Sequence, residues 1–253
     1  NEFINRHPNH NIDFKPSGGR KKRSYKYAVA ASIAMLIVTV VFLNRTKTVY
    51  STAYGEYKQI ELPDGSVVTL GANSELELHE DWNSENDRKV WLKGEAYFKV
   101  KPNEVTSAKF VVITDDLNVE VLGTEFNVSN RLENTKVILD KGKIKLNFKD
   151  DLNEELFLSP GEKITYTSKS RKVPTKSKAE KNETSWRSGV MTFDDAPLVE
   201  VLRKMEDIYG VKLKLSEKDN SLVDKKITIG IAINDKEVAI KTIEMVLGIK
   251  LLE

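Results

Sequence analysis

Residues 27–43 contain no charge, no proline and no glycine. No other stretch constrains the fold of this chain as tightly. It reads Tyr-Ala-Val-Ala-Ala-Ser-Ile-Ala-Met-Leu-Ile-Val-Thr-Val-Val-Phe-Leu. As a helix it covers ~26 Å at ~1.5 Å per residue, slightly less than the ~30 Å hydrocarbon core of a bilayer. Tyr25, Lys26 and Tyr27 make up the shortfall at the interface. Its many β-branched residues carry no penalty where every backbone hydrogen bond must be made internally. A buried soluble helix would show a polar face, and this segment has none. A signal peptide would have a shorter apolar region and a small-x-small cleavage site, and Leu43-Asn44-Arg45-Thr46 offers neither. A single transmembrane helix over 25–44 is therefore expected, with the lipid bilayer as its first partner. Arg20-Lys21-Lys22-Arg23 and Lys26 flank one end, against Arg45 and Lys47 at the other. The positive-inside rule then places the N-terminus in the cytoplasm and the rest across the membrane.

The net charge of +2 hides an asymmetry. Residues 1–26 hold seven Lys/Arg against Glu2 and Asp13, leaving 33 basic and 36 acidic residues in the remainder. A basic arm before a faintly acidic body argues against nucleic acid as a partner. The absence of cysteine excludes disulfides, thiolate zinc sites, a cysteine nucleophile and a lipoprotein anchor. His79 is the one histidine after the apolar segment, and in a strand-rich stretch it reads as structural or exposed. A metal site would need carboxylates alone. In the adjacent pairs Asp115-Asp116 and Asp194-Asp195, neighbouring side chains point to opposite faces of a strand, so neither makes a dyad. Asp194 or Asp195 instead suits a helix cap, with Pro197 in the first turn. No glycine-rich phosphate loop follows a strand. Neither an enzyme, a cofactor nor a metal is expected.

Residues 1–24, with Pro8, Pro16 and Ser17-Gly18-Gly19, read as a flexible cytoplasmic juxtamembrane tether. Residues 49–167 carry many short apolar or alternating runs with turn signals at Pro63-Asp64-Gly65, Lys93-Gly94, Asp140-Lys141-Gly142 and Pro160-Gly161. They predict an all-β domain: an antiparallel sandwich, a roll or a short solenoid. Residues 168–184 are polar, basic and nearly free of apolar side chains, and read as a linker. Residues 186–253 predict a small α+β domain of two βαβ-like units. In the first, Leu198, Val201, Leu202, Met205, Ile208 and Tyr209 form one helix face, Gly210 stops the helix, and 211–215 alternates as a strand. In the second, Ile227, Ile229, Ile231 and Ile233 alternate, Asn234 with Glu237 suits a capping box, and Gly248 ends the helix.

Three stretches together resemble the FecR family of transmembrane anti-sigma regulators. Leu62-Pro63-Asp64-Gly65-Ser66 is similar to its first signature, and Arg88-Lys89-Val90-Trp91-Leu92-Lys93-Gly94-Glu95-Ala96-Tyr97-Phe98-Lys99-Val100 to its second. Val121-Leu122-Gly123-Thr124-Glu125-Phe126-Asn127-Val128 is similar to its third, and Leu158-Ser159-Pro160-Gly161-Glu162 continues it. Asp64, Gly65, Gly94, Glu95, Gly123, Thr124 and Phe126 are the signature positions. Trp186-Arg187-Ser188-Gly189 with Phe193 and Pro197-Leu198 resembles the C-terminal domain of Bacteroidetes-type members, which is similar to the short N-terminal domain of secretins and TonB-linked receptors.

The resemblance implies an inner-membrane protein with a cytoplasmic N-terminus and a periplasmic C-terminal region. It implies that the signalling domain of a TonB-dependent outer-membrane receptor is its periplasmic partner. It further implies a cytoplasmic domain that holds an extracytoplasmic-function sigma factor. Only 26 residues without apolar periodicity precede the apolar segment, so most of that domain is expected to be missing from the sequence. A membrane-tethered periplasmic binding or assembly module without sigma-factor control is the alternative. Some relatives cleave themselves at a Gly-Thr bond in the third signature. By resemblance that bond would be Gly123-Thr124, attacked by the Thr124 hydroxyl with the help of a strained peptide and a base. The simpler reading of Gly123 is a glycine that allows a tight bend between Val119–Leu122 and Phe126–Val128. Asp64-Gly65 reads as a hairpin turn, Lys93-Gly94-Glu95 as a bend, and Trp91, Tyr97 and Phe98 as core.

Overall fold

The structure, a computed structural model, describes residues 24–43, 48–79, 82, 87–131, 134–149, 155–167, 169 and 172–252. The expected tether lies outside these residues apart from Ser24, as do linker positions 168, 170 and 171. The chain forms two units, residues 1–46 and 47–253.

The first unit contains α1 (Ser24–Leu43). Tyr27, Val29, Ile33, Met35, Leu36 and Ile37 are exposed along it. The hydroxyl of Thr39 donates back to the Met35 carbonyl at 2.7 Å, which satisfies it within the helix. Among the described residues no helix is long and apolar enough to cross a membrane. The side chains at 24, 25, 38 and 40–43 fall outside the described set.

The second unit opens with thirteen strands. They are β1 (Thr48–Thr52), β2 (Lys58–Glu61), β3 (Val67–Leu70), β4 (Ser74–Leu78), β5 (Arg88–Lys99), β6 (Phe110–Ile113) and β7 (Leu117–Val121). There follow β8 (Glu125–Arg131), β9 (Asn134–Lys141), β10 (Ile144–Phe148), β11 (Glu155–Leu158), β12 (Glu162–Tyr166) and β13 (Ser177–Lys178). One layer runs β1-β4-β5-β6-β7-β10-β11, and the other runs β2-β3-β5-β8-β9-β12-β13. All neighbours are antiparallel except β5 and β6.

The two layers share β5. Its first half, Arg88 to Lys93, pairs with β4 and β6, and its second half, Gly94 to Lys99, pairs with β3 and β8. The change of partners falls at Gly94, whose φ is +90°. A Cβ there would stand 2.3 Å from Ser74 Oγ and 2.8 Å from the Asn73 carbonyl. Only glycine fits both the dihedral and the space. Gly94→Ala is therefore expected to cost about 3 kcal/mol, because overpacking and left-handed backbone strain act together. Urea denaturation of residues 47–253 measures this. A loss under ~0.5 kcal/mol, the size of an ordinary surface change, would show that the corner tolerates a side chain.

Strand alternation fills the space between the layers. Leu76 and Leu78, Val90 and Leu92, Val119 and Val121, and Ile144 and Leu146 all face one core. Phe98 and Phe126 are register partners across β5 and β8 and stack at 5.0 Å between centroids, with Phe110 edge-on to Phe98. Phe126 of the third signature is thus a core residue.

A second lobe follows. A 3-10 helix (Lys181–Ser188) leads into β14 (Val190–Pro197), α2 (Leu198–Tyr209) and β15 (Lys214–Leu215). A second 3-10 turn (Glu217–Leu222) precedes β16 (Lys226–Ala232), α3 (Lys236–Leu247) and β17 (Leu251–Leu252). The two β-α-β units interleave, since β14 pairs with β16 and β15 with β17, both antiparallel. The six apolar residues expected on one face of α2 are all buried. Both units end their helix in the same way. Gly210 and Gly248 adopt left-handed conformations, and the side chains of Glu206 and Glu244 each accept the N–H of a residue seven positions later, Leu213 and Leu251.

Four local expectations are corrected. Asp194 and Asp195 do not cap α2, and Pro197 occupies its N-cap rather than its first turn, without a side-chain cap. The two aspartates lie on β14 at a register shift, Asp194 accepting from Thr228 and Asp195 pairing with Lys226. The N-cap of α3 is Asp235, not Asn234, and its carboxylate accepts from the Val238 N–H at 3.0 Å. The alternating 211–215 run pairs only at Lys214–Leu215. Finally, the stretch 168–184 is not wholly a free connection: Ser177–Lys178 pairs with β12, and Lys181 begins the 3-10 helix.

Candidate functional site

Most of the signature residues gather at two places. The first centres on Arg88, which is 2% exposed. Its Nη1 donates to Asp64 Oδ2 at 2.5 Å and to the Lys101 carbonyl at 2.9 Å. Its Nη2 donates to the Ala108 carbonyl at 3.0 Å and reaches the Leu122 carbonyl at 3.5 Å. Asp64 also accepts from the N–H and hydroxyl of Ser66, and that hydroxyl accepts from the Lys101 N–H. Parts of all three signatures therefore meet on one buried guanidinium. Five donors in a rigid fork suit a residue that must hold a carboxylate and several carbonyls together.

Gly123-Thr124 lies beside this junction. The backbone of Thr124 exchanges hydrogen bonds with Val100 at 2.9 and 3.3 Å. A Cβ on Gly123 would come within 3.0 Å of Pro102, so glycine here lets the 101–108 loop pack close. Thr124 is buried, and its hydroxyl donates to the Lys143 carbonyl at 3.2 Å. That carbonyl accepts the hydrogen bond but is too weak a base to take the proton. Glu120 lines the same cavity of about 300 Å³, but it is engaged by Lys109 at 2.9 Å and Asn147 at 2.6 Å. The bond is tightly seated, and no base is bonded to its hydroxyl among the described residues.

The second place is the joint between the lobes, built on Glu95. This signature carboxylate is 7% exposed and accepts from Lys204 of α2 at 2.8 Å and from Asn127 at 3.1 Å. Burial alone would push its carboxyl up. The Lys204 charge and hydrogen bond, with Arg131 and Asn127, override burial and hold it below the ordinary value. Asp207, one turn further along α2, goes the other way: burial raises it, against the pull of Arg131 and Lys204.

Further contacts surround Glu95. Glu183 of the 3-10 helix pairs with Lys136 at 3.1 Å and Lys163 at 2.6 Å. The Arg187 guanidinium lies 3.6 Å over the Tyr97 ring and 3.3 Å from Asp140, which also accepts the Tyr97 hydroxyl at 2.8 Å. Trp186 packs against Tyr57 at 5.7 Å between centroids. The Gly55 N–H donates to the Ile208 carbonyl at 2.8 Å. Ala72 and Tyr97 of the β lobe complete the core of the second lobe.

Asp64, Gly123 and Thr124 are thus brought to one end, with Gly65 in the adjoining turn. Gly94 and Glu95 lie at the corner and the joint. Phe126 is between the layers. Sequence reasoning missed Lys204, Asn127 and Arg131 as partners of Glu95. Lys204 flanks the apolar face of an amphipathic helix, where a lysine carries no signal. His79 stacks on Trp91 at 5.3 Å, and Asp116 accepts from the Thr135 hydroxyl at 2.9 Å.

Residues 48–145 match the FecR protein family. Two crystal structures, each of a candidate anti-sigma factor from Parabacteroides distasonis, resemble the chain. One, at 2.50 Å, has 27% identity and a TM-score of 0.65, covering 82% of this chain and 95% of its own. The other, at 1.65 Å, has 27% identity and a TM-score of 0.64, covering 81% and 99%. Among curated proteins none matches.

Proposed function

We propose, from the match of residues 48–145 to the FecR protein family, that the chain is an inner-membrane anti-sigma regulator. In this reading α1 crosses the membrane with its basic end in the cytoplasm. The unit 47–253 lies in the periplasm and engages the signalling domain of a TonB-dependent receptor. The segment before α1 leads to the region that holds an extracytoplasmic-function sigma factor. The observation that carries the reading is the likeness over both lobes to candidate anti-sigma factors. The large apolar side chains exposed along α1 support a lipid-facing helix. Strand β16 pairs on one side only, with β14, among the described residues. Such an edge suits strand addition by a receptor domain.

The test is capture. Residues 47–253 are expected to retain the signalling domain of a receptor encoded beside this protein, and the full-length protein to retain the neighbouring sigma factor. Folded protein that captures neither would favour the tethered binding module instead.

The seating of Thr124 supports an uncleaved chain. A C-terminally tagged protein is expected to run as one full-length band in cells, unchanged by Thr124→Ala. A shorter tagged fragment that disappears in Thr124→Ala would establish self-cleavage.

A further inference from the structure

We infer that the joint between the two lobes is a latch, which opens by rigid separation of the lobes rather than by unfolding. The inference rests on the packing of the joint and stands whatever partner the periplasmic unit engages. Seven buried side-chain atoms lack a hydrogen-bond partner, among the described residues. Five of them crowd the joint: Asn127 Oδ1, Arg131 Nε, Asn182 Oδ1, Trp186 Nε1 and Tyr209 OH. A buried polar group without a partner is a cost that water would relieve, so each of these atoms favours the open form.

The attractive contacts are of a kind that yields. Lys136 and Arg187 are 40 and 31% exposed, so water and salt reach their ion pairs. A cleft of about 480 Å³ runs along the joint, and Arg131, Lys136, Glu183, Lys204 and Asp207 are among its lining residues. The β lobe lends the second core only Ala72 and Tyr97 as buried members, whereas each lobe has a large core of its own. Separation would uncover chiefly aromatic side chains that carry polar atoms, Tyr57, Tyr97, Trp186 and Tyr209, while the core of each lobe stays its own. Glu95–Lys204 is the exception within the joint, since its carboxylate is largely buried. It acts as the bolt.

The chain has no cysteine, so two introduced cysteines are unique labelling sites. Glu104→Cys on the β lobe and Lys241→Cys on α3 are both exposed. With spin labels at these positions, the full chain in detergent micelles is expected to show two distances by double electron–electron resonance. The longer population should grow about threefold between ~0.05 and ~1 M NaCl, as screening shortens from ~10 Å or more to ~3 Å. Lys204→Met, and the milder Glu95→Gln, should raise it further at low salt while far-ultraviolet circular dichroism stays unchanged. One distance at every salt concentration, in the parent and in Glu95→Gln alike, would overturn the latch. So would lengthening that appears only together with loss of secondary structure.

Discussion

Replacing Arg88 with methionine is expected to destabilise residues 47–253 by about 4 kcal/mol, within the range for breaking a buried ion pair. The size follows from what the guanidinium leaves behind. Asp64 would keep its bonds from Ser66 but lose its buried cation. The carbonyls of Lys101 and Ala108 would lose the donors that reach into the interior. Methionine preserves most of the volume and the contact with Phe110, so the loss reports polar bonds rather than a cavity. Asp64→Asn should cost less, about 1–2 kcal/mol, because an amide oxygen still accepts from Arg88. Urea denaturation followed by circular dichroism distinguishes the two. Equal losses would mean that Arg88 acts through charge alone.

The second large effect is at the joint. Lys204→Met should cost about 3 kcal/mol, because it strands the Glu95 carboxylate in an enclosed site with only Asn127 and Arg131 nearby. Glu95→Gln should cost less, since the lysine left behind is partly exposed and water can serve it. The double variant should be nearly as stable as Glu95→Gln alone, giving a coupling energy of about 3 kcal/mol. Additive losses would show that the pair does not interact. The same pair sets a pH dependence. Glu95 is held below its ordinary value of 4.5, so its stabilisation is present above pH 4.5 and is lost as pH falls through the lowered value. Asp207 opposes this trend: its raised value means that folding becomes costlier as it ionises, so protonation relieves it.

The strands and the apolar face of α2 were legible because period and burial coincide there. Leu117, Val119 and Val121 alternate in sequence and all face the core. The helix stops at Gly210 and Gly248 were legible because left-handed caps ask for glycine. The caps at the other ends were not. Asp194-Asp195 looks like a capping pair, but a register shift keeps both residues in β14. The bend at Gly94 could be read, but not that one strand continues through it from one layer to the other. That depends on the Ser74 side chain packed against the glycine, 20 residues away in sequence. The two junctions were hidden for a related reason. Arg88 and Glu95 stand in a recognisable signature, but their partners, from Asp64 to Lys204, are set by tertiary packing alone.

We propose that receptor engagement of the unit 47–253 is relayed to the sigma factor through the Glu95–Lys204 latch. It is tested most directly by a sigma-dependent transcriptional reporter, in cells carrying the full-length protein and its receptor, with and without the receptor's cargo. The wild-type protein should switch the reporter on cargo addition. Lys204→Met, present at equal level in the membrane fraction, should leave the reporter at the same value with and without cargo. A Lys204→Met response as large as that of the wild type would contradict the claim.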